Sequence, residues 1–347
     1  MGDNFYERWI DYWDQEQAER QKARKVIHAE ELSWLETRQD YQTAAVISRD
    51  TGFATGGMSS YVAVIPPGCR TGVHSHGEEA IYIIAGTGYS VIDGVTYDWR
   101  PGTFLAIGFG AAHCHFNSGE TEARYLSLIS VDLERFFGIH RTFHLEDKAR
   151  IAPPRERVSE DGYLPDGSRR IRLYREEMMP IVDEGKGVSK YAASDSEIIA
   201  GNSPEVGDLD GMYRLMHTHK YGYWDAMRVG TDMNDFTVHE QMIGGIISDN
   251  ARSAGGQHAH MEAQLYILRG SGYSIVDEER VDWRVGSGLH ITGPQTVHQH
   301  FNESDEPSEM LRMLPGPRLL LFEPAAKNLF PYLYLAKGPG SSVSSGS

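Results

Sequence analysis

Large apolar residues recur at every fourth position near the start of the chain. Phe5, Trp9 and Trp13 follow this spacing, and the positions beyond them are mainly charged. In an α-helix such residues share one face, so the pattern predicts a helix over residues 3–37. We expect this helix to pack against the rest of the protein or a neighbouring subunit rather than to act in catalysis.

The pattern changes at about residue 43. Short runs rich in Val, Ile and Tyr follow one another, broken by Gly, Pro, Asn and Asp, as in YVAVIPPG and YSVIDGVTYDWRPG. This texture is typical of β-strands joined by tight turns, and it returns from about residue 211 to 325. An all-β fold in two parts is therefore predicted.

The segments between and after the two β regions differ in composition. Residues 132–210 predict a long irregular connection on the surface, with one short helix at REEMMPIVDEG, residues 175–185. Residues 326–347 end in the Gly/Ser-rich KGPGSSVSSGS and predict a tail. The predicted organisation is a helical segment (1–42), a first β domain (43–131), the connection (132–210), a second β domain (211–325) and the tail.

The two β regions repeat one another. The stretch HSHGEEAIYIIAGTGYSVIDG from His74 matches HAHMEAQLYILRGSGYSIVDE from His258 without a gap. After one inserted residue, HCHFN from His113 matches HQHFN from His298. Matches this long indicate two copies of one β unit.

Length, composition and charge reduce the number of possible functions and partners. The 347 residues suffice for two domains, and 40% hydrophobic with 24% charged residues is typical of globular proteins. The net charge of −16 argues against nucleic acid or an anionic membrane as a partner, which leaves a small molecule. Short apolar runs, the absence of a secretory start and only two cysteines without a CxxC pair predict a cytoplasmic protein.

Eight of the 15 histidines lie in the four repeated pieces. Alternate residues of a strand face the same side, so His74 and His76 point into one space, and His113 arrives on a later strand. Buried imidazoles need partners, and a divalent metal supplies one. Metal ligands are thus predicted in both copies, the second copy having His258, His260 and His298.

These motifs resemble those of the bicupins, which carry two cupin domains in one chain. The first copy matches the family pattern except for a gap one residue short after His76 and Gly108 where proline is usual; the second has one extra residue before its late histidine. The resemblance covers most of residues 45–130 and 225–315, and implies two tandem jelly-roll β-barrels. Its matching positions are Gly68, His74, His76, Glu79, Gly86, Gly102, Gly110, His113 and Asn117, then His258, His260, Gly270, His298 and Asn302.

The acidic ligand has two candidates. Spacing to the glycine favours Glu79, but the second copy has Ala263 there. Strand parity and the repeat favour Glu78 with Glu262, which is the pair we predict; three histidines with water remain an alternative. Fe(II) is the metal expected from the resemblance, and Mn(II), Ni(II) and Zn(II) are the alternatives.

Other polar residues could act beside the metal. His115 and His300 share the parity of the late metal histidines, so they are predicted as an acid or base, although a backbone partner would equally explain them. Glu78 is the third predicted catalytic residue. Arg70, Arg252 or the pair Arg169 and Arg170 could clamp a substrate carboxylate.

Among bicupins, the chain is most similar to the gentisate, salicylate and 1-hydroxy-2-naphthoate dioxygenases, and more distantly to the hydroquinone dioxygenase large subunit. This implies an Fe(II) enzyme that opens a hydroxylated aromatic ring with O2, and we favour the first copy as the working site. The alternatives are an Mn, Ni or Fe decarboxylase, lyase or isomerase acting on a small organic acid, and a non-catalytic ligand-binding bicupin. A homo-oligomer, either a dimer or a tetramer, is expected.

Overall fold

The computed structural model describes residues 4–153, 251–254, 257, 262–293 and 296–315, with the backbone of strands at 171–174, 180–183, 188–191 and 242–249. Its strands form two β-barrels in tandem behind an N-terminal helix, as the sequence predicts. The predicted domain boundaries remain expectations.

The N-terminal helix α1 (Phe5–Lys22) is shorter than predicted. It begins where the Asn4 side chain accepts hydrogen bonds from the backbone N–H groups of Tyr6 and Glu7. It ends at Lys22 rather than residue 37, because strand β1 (Val26–Ile27) pairs with the second barrel. Tertiary pairing thus overrides local helix propensity. None of the helices in the described ranges has both the length and the apolar character to cross a membrane.

The N-terminal barrel consists of two sheets facing each other. One has the order β12-β8-β5-β10-β3-β2, and the other β11-β4-β9-β6-β7. The strands are β2 (Gln42–Ala45), β3 (Ser59–Ile65), β4 (Val73–Ser75), β5 (Glu79–Ala85), β6 (Gly88–Ile92), β7 (Val95–Trp99), β8 (Phe104–Ile107), β9 (His113–Asn117), β10 (Ala123–Ile129), β11 (Phe143–Glu146) and β12 (Ile171–Tyr174), with helix α2 (Val131–Phe136) after β10.

The C-terminal barrel repeats this arrangement. Its larger sheet has the order β1-β19-β16-β21-β15-β13-β14, and its smaller sheet β18-β17-β20. The strands are β13 (Pro180–Asp183), β14 (Val188–Tyr191), β15 (Met242–Asp249), β16 (Ala263–Arg269), β17 (Ser271–Val276), β18 (Glu279–Arg284), β19 (Gly288–Ile291), β20 (His298–Asn302) and β21 (Ser308–Pro315).

The segment predicted as an irregular connection contributes strands to both barrels. In its described parts, β11 pairs with β4 and β12 with β8, whereas β13 pairs in parallel with β15. The short helix predicted over residues 175–185 is wrong for residues 180–183, which form β13. Pairing with an existing strand decides the structure of such short segments, because their local signal is weak.

The two barrels share a hydrophobic core. Along β5, Ile81 and Ile83 point into the first barrel, whereas Ala80 and Tyr82 pack in a cluster that also contains Tyr266, Leu311 and Met313 of the second barrel. A strand that is buried on both faces reads as a continuous apolar run, which is what EAIYIIA shows. The barrels are therefore joined by packing as well as by the chain.

Tight turns set the register of the repeated hairpins. Asp93 and Gly94, between β6 and β7, have φ of 47° and 83°. Positive φ at both positions is required by the two-residue turn that matches strand twist. The second copy makes the same turn with Asp277 and Glu278, at φ of 50° and 67°.

Candidate metal centre

Four side chains converge inside the N-terminal barrel. His74 lies on β4, His76 follows that strand, Glu79 begins β5 and His113 begins β9. One potential ligand atom from each residue lies within 4.8 Å of the other three. Strands from both sheets thus bring together residues that are up to 39 positions apart in sequence, 113 − 74.

The hydrogen bonds of two imidazoles, those of His113 and His76, leave the Nε2 atom of each for this centre. His113 Nδ1 lies 2.8 Å from the carbonyl oxygen of Ala111, and His76 Nδ1 lies 3.1 Å from that of Gly77. A carbonyl only accepts, so each Nδ1 carries the hydrogen and each Nε2 keeps its lone pair. That tautomer is the one a metal ligand needs.

The atoms facing the centre lack hydrogen-bond partners among the described residues. These atoms are Nε2 of His74, His76 and His113, and Oε2 of Glu79. Glu79 Oε2 lies 2.9 Å from His113 Nε2 and 3.3 Å from His76 Nε2, but without hydrogen-bond geometry. Buried polar atoms that converge without hydrogen bonds call for another partner, and a divalent cation fits this donor set.

The surroundings shift the pKa values of three of these residues in different directions. Burial, assisted by His113 and His76, lowers the pKa of His74 to about 2. Burial disfavours a charge on Glu79, but His113 and His76 hold the pKa of Glu79 well below its ordinary value. Burial also disfavours a charge on His76, but Glu79 raises the pKa of His76. The centre therefore carries one carboxylate, and a proton on His76 competes with a cation.

The carboxylate in this group is Glu79, not the predicted Glu78. Glu79 Oε1 accepts a short hydrogen bond from Ser127 Oγ, which fixes the carboxylate. Glu78 is buried but lies outside the group of four. Strand parity does not apply between His76 and Glu78, because β4 ends at Ser75 and β5 begins at Glu79. Metal ligation by Glu78 stays a prediction, as does ligation by Glu79. A catalytic role for Glu78 stays a prediction.

His115 has a different Nδ1 partner from His113. Trp99 Nε1–H donates to Ser90 Oγ at 3.1 Å, and this oxygen lies 2.7 Å from His115 Nδ1. A serine oxygen has two lone pairs and one hydrogen, so Ser90 can either donate to Nδ1 or accept from it. Burial, followed by the neighbouring His113, lowers the pKa of His115 to about 3. His115 is thus a neutral imidazole beside the centre, with its ring held by Ser90.

The second barrel repeats part of this arrangement. Ser274 Oγ lies 2.7 Å from His300 Nδ1 and accepts from Trp283 Nε1–H at 3.0 Å. His298 Nδ1 lies 3.0 Å from the carbonyl oxygen of Thr296, as His113 does from Ala111. The predicted ligands His258 and His260 lie outside the described residues, so a second centre is untested.

The predicted ligand Glu262 has another environment. Both of its carboxylate oxygens accept from the backbone N–H of Gly56, at 3.1 and 3.0 Å, and Oε1 lies 3.1 Å from His290 Nε2. All of Glu262 and His290 is buried. Ala263 occupies the position of Glu79 in the repeat, so the second barrel has no carboxylate there. Glu262 thus contacts the segment around Gly56, and His290 lies beside it with its ring 5.7 Å from that of Phe53.

The arginines proposed as substrate clamps are paired elsewhere or not described. Arg70 is buried and bonds to Glu146 at 2.6 Å, and Arg252 pairs with Asp305 at the surface. Arg169 and Arg170 lie outside the described residues.

Glu134 is a site residue that the sequence did not predict. It is a fully buried carboxylate next to the link that follows His76. The glycine of HSHG was the only signal for it.

Part of the chain is similar in sequence to known proteins. The model of the cupin domain family matches residues 61–129. A curated relative, 5-aminosalicylate 1,2-dioxygenase of a Comamonas species, is 31% identical over 85 residues; this match takes in 24% of the present chain and 22% of the relative, so it spans about a fifth of that protein's length.

Two solved structures extend the likeness beyond the matched domain. Salicylate 1,2-dioxygenase of Pseudoaminobacter salicylatoxidans, solved with gentisate, has a TM-score of 0.55 at 10% identity, covering 92% of this chain and 93% of that one. Oxalate decarboxylase of Bacillus subtilis has a TM-score of 0.51 at 14% identity, covering 84% and 77%. At these identities the likeness establishes the fold. Residues 61–129 thus match the cupin domain family, and the chain as a whole shares the fold of these two solved structures.

Proposed function

We propose that this protein is a metal-dependent dioxygenase that uses O2 to open the ring of a hydroxylated aromatic acid or phenol. The observation that carries the proposal is the buried centre of the first barrel. There, three imidazole Nε2 atoms and Glu79 Oε2 converge without other partners. A ligand set of nitrogen and carboxylate donors is what redox-active divalent metals use in oxygen chemistry.

The similarity to other proteins supports the reaction class. The sequence relative and one of the structural neighbours are ring-directed dioxygenases by name, acting on 5-aminosalicylate and salicylate respectively. We therefore place the substrate among salicylates, gentisate, hydroquinone and related hydroxylated aromatics. Fe(II) is the proposed metal, with Mn(II), Ni(II) and Zn(II) as alternatives.

The residues of the first barrel would have separate roles in metal binding and in substrate orientation. His74, His76, His113 and Glu79 would hold the metal, and an Fe(II) ion held there would supply Lewis-acid and redox chemistry toward the substrate and O2. The barrel buries the centre and limits access of water to it. With Ser90 donating to its Nδ1, His115 would carry its hydrogen on Nε2, where it would hydrogen-bond to an oxygen atom of the substrate and orient the ring.

We assign the reaction to the first barrel. Its centre has a carboxylate, Glu79, where the second copy has Ala263. The acidic residue that both copies share, Glu262 in the second, accepts hydrogen bonds from Gly56 of the first half of the chain. Metal binding at His258, His260 and His298 is proposed as well, with a structural rather than a catalytic role.

A second candidate reaction comes from the same ligand set. Three histidines and one glutamate also suit Mn(II), and a manganese-type decarboxylase, lyase or isomerase of a small organic acid would need no ring. The fold likeness to oxalate decarboxylase supports this second candidate. Stoichiometric consumption of O2 separates the two.

The proposed assembly is a dimer or a dimer of dimers. On α1, the side chains of Phe5 and Trp9 are each 60% exposed, an unusual position for large aromatic rings. Light scattering of the purified protein, compared with a Phe5→Ser and Trp9→Ser double variant, tests whether this face joins two copies.

The direct test of function is oxygen uptake after anaerobic loading with Fe(II). Gentisate, salicylate, 5-aminosalicylate, hydroquinone, catechol and 1-hydroxy-2-naphthoate form the screen, with metal-free protein as the control. Uptake with one or more of these, and ring-opened product in equal amount, is expected. Uptake with none of them would favour the decarboxylase class.

A further inference from the structure

A buried carboxylate lies behind the proposed metal centre. Glu134, on α2, is fully buried. Its Oε1 accepts from the backbone N–H of Glu78 at 3.0 Å, and its Oε2 lies 3.1 Å from His140 Nδ1. Burying a carboxylate is costly unless its oxygens are hydrogen-bonded, and here both oxygens have a partner.

The hydrogen bond from Glu78 connects Glu134 to a proposed metal ligand. The N–H of Glu78 and the carbonyl of Gly77 belong to one peptide group, and that carbonyl accepts from His76 Nδ1 at 3.1 Å. A carboxylate at the N–H end of a peptide polarises it and makes its carbonyl a stronger acceptor. A stronger acceptor at Nδ1 raises the basicity of Nε2 and fixes the ring of His76.

Gly77 is required for this arrangement. A Cβ on residue 77 would lie only 1.7 Å from Oε1 and 1.9 Å from Oε2 of Glu134, so any side chain would displace the carboxylate. The glycine permits close approach and not an unusual backbone angle. The second copy has Met261 at this position, which is incompatible with a carboxylate placed in the same way.

The link between His76 and Glu79 is also held from other sides. The N–H of Gly110 donates to the carbonyl of His76 at 2.7 Å. Helix α2 itself is anchored through Asp132, whose Oδ2 accepts from Thr55 Oγ1 at 2.6 Å and Ser59 Oγ at 3.2 Å. Glu134 and Asp132 are thus two buried carboxylates on one helix. Glu134 is hydrogen-bonded to the link, and Asp132 is hydrogen-bonded to the first residue of β3 and the segment before it.

We infer that Glu134 is a positioning residue for the metal centre, and that it acts on His76 through the Gly77–Glu78 peptide group. The inference rests on the metal centre of the proposed function but not on the reaction assigned to it. The hydrogen bonds of Glu134 go to Glu78 and His140 and not to a proposed ligand atom, so its effect should appear first in metal binding.

The test compares Glu134→Gln with Asp132→Asn in the full-length protein, with Co(II) as the probe. Glu134→Gln keeps the size of the side chain and removes its charge. We expect Co(II) affinity to fall by about 10- to 100-fold, the usual effect of losing a hydrogen-bonded partner behind a ligand, and the visible d–d bands to shift. Asp132→Asn also alters a buried carboxylate of α2, but Co(II) affinity and spectrum should stay near those of the wild type.

Each result has one interpretation. Equal Co(II) affinity and identical spectra for wild type and Glu134→Gln would overturn the inference while leaving the metal centre intact, and so would an equal loss in Asp132→Asn. A wild-type protein that binds no Co(II) would overturn the proposed function as well. If Glu134→Gln does not fold, NMR of the ¹⁵N-labelled wild type decides: Zn(II) should move the Glu78 amide proton downfield, and an unmoved resonance contradicts the inference.

Discussion

Ser90 Oγ lies 2.7 Å from His115 Nδ1, and Ser274 Oγ lies at the same distance from His300 Nδ1 in the second barrel. In both barrels a tryptophan donates to the serine oxygen. Each serine holds the Nδ1 of its histidine, whereas His113 and His298 donate from Nδ1 to a backbone carbonyl. Two histidines of one short strand thus have different Nδ1 partners, a backbone carbonyl for one and a serine hydroxyl for the other.

Replacing Ser90 tests this division. In Ser90→Ala, His115 loses its Nδ1 partner, and we expect kcat to fall by about 10- to 100-fold while Co(II) affinity stays near wild type. Ser274→Ala makes the same change in the second barrel and is the matched control, with little effect on turnover expected. Equal turnover in the two variants would show that the serine in the first barrel has no special role.

Glu79 and Glu78 are neighbours with different predicted effects. Glu79→Gln removes the negative oxygen from the centre, so metal affinity should fall by about 10-fold or more. Glu78→Gln alters a side chain outside the group of four, and its backbone N–H, which bonds Glu134, remains. Calorimetric titration with Zn(II) measures both. A larger loss in Glu78→Gln would restore the ligand assignment that strand parity predicts.

Metal binding should weaken as the pH falls. The pKa of His76 is raised because Glu79 outweighs the effect of burial, and a protonated imidazole cannot bind a metal. Affinity should therefore be highest above that pKa and decrease, by up to about tenfold per pH unit, below it. Titrations with Co(II) between about pH 6 and about pH 8 test this. In Glu79→Gln the dependence should shift to lower pH, because the charge that raises the pKa is gone.

The shared core predicts that the barrels unfold together. Leu128 of the first barrel and Leu311 of the second are both fully buried in the cluster between them. Leu128→Ala or Leu311→Ala should each lower the free energy of unfolding by about 2–5 kcal/mol. Calorimetry should record one transition that moves in both variants. Two transitions, with only one displaced by each substitution, would show independent barrels.

The repeated histidine motifs made much of the fold and centre predictable. His74 and His76 alternate on a strand, and the glycine-punctuated runs after them specify hairpins, so the barrels follow from local patterns. The end of α1 did not follow, because it depends on pairing of Val26 and Ile27 with the second barrel.

The choice between Glu78 and Glu79 needed three-dimensional information. Parity applies only within a regular strand, and the link between β4 and β5 interrupts it. Glu134 could not be identified either, since 56 positions, 134 − 78, separate it from the amide that it accepts from, and only the small size of Gly77 hints at it.

The proposed function places the oxygen chemistry at the centre in the first barrel. Its most direct test is oxygen uptake, measured with bound iron, in His113→Ala and His298→Ala, the equivalent substitution in the two copies. With a substrate found in the screen, His113→Ala should lose iron from the first barrel and essentially all uptake, whereas His298→Ala should keep most of its turnover. Full oxygen uptake in His113→Ala, or a loss of uptake only in His298→Ala, would contradict the assignment of the reaction to the first barrel.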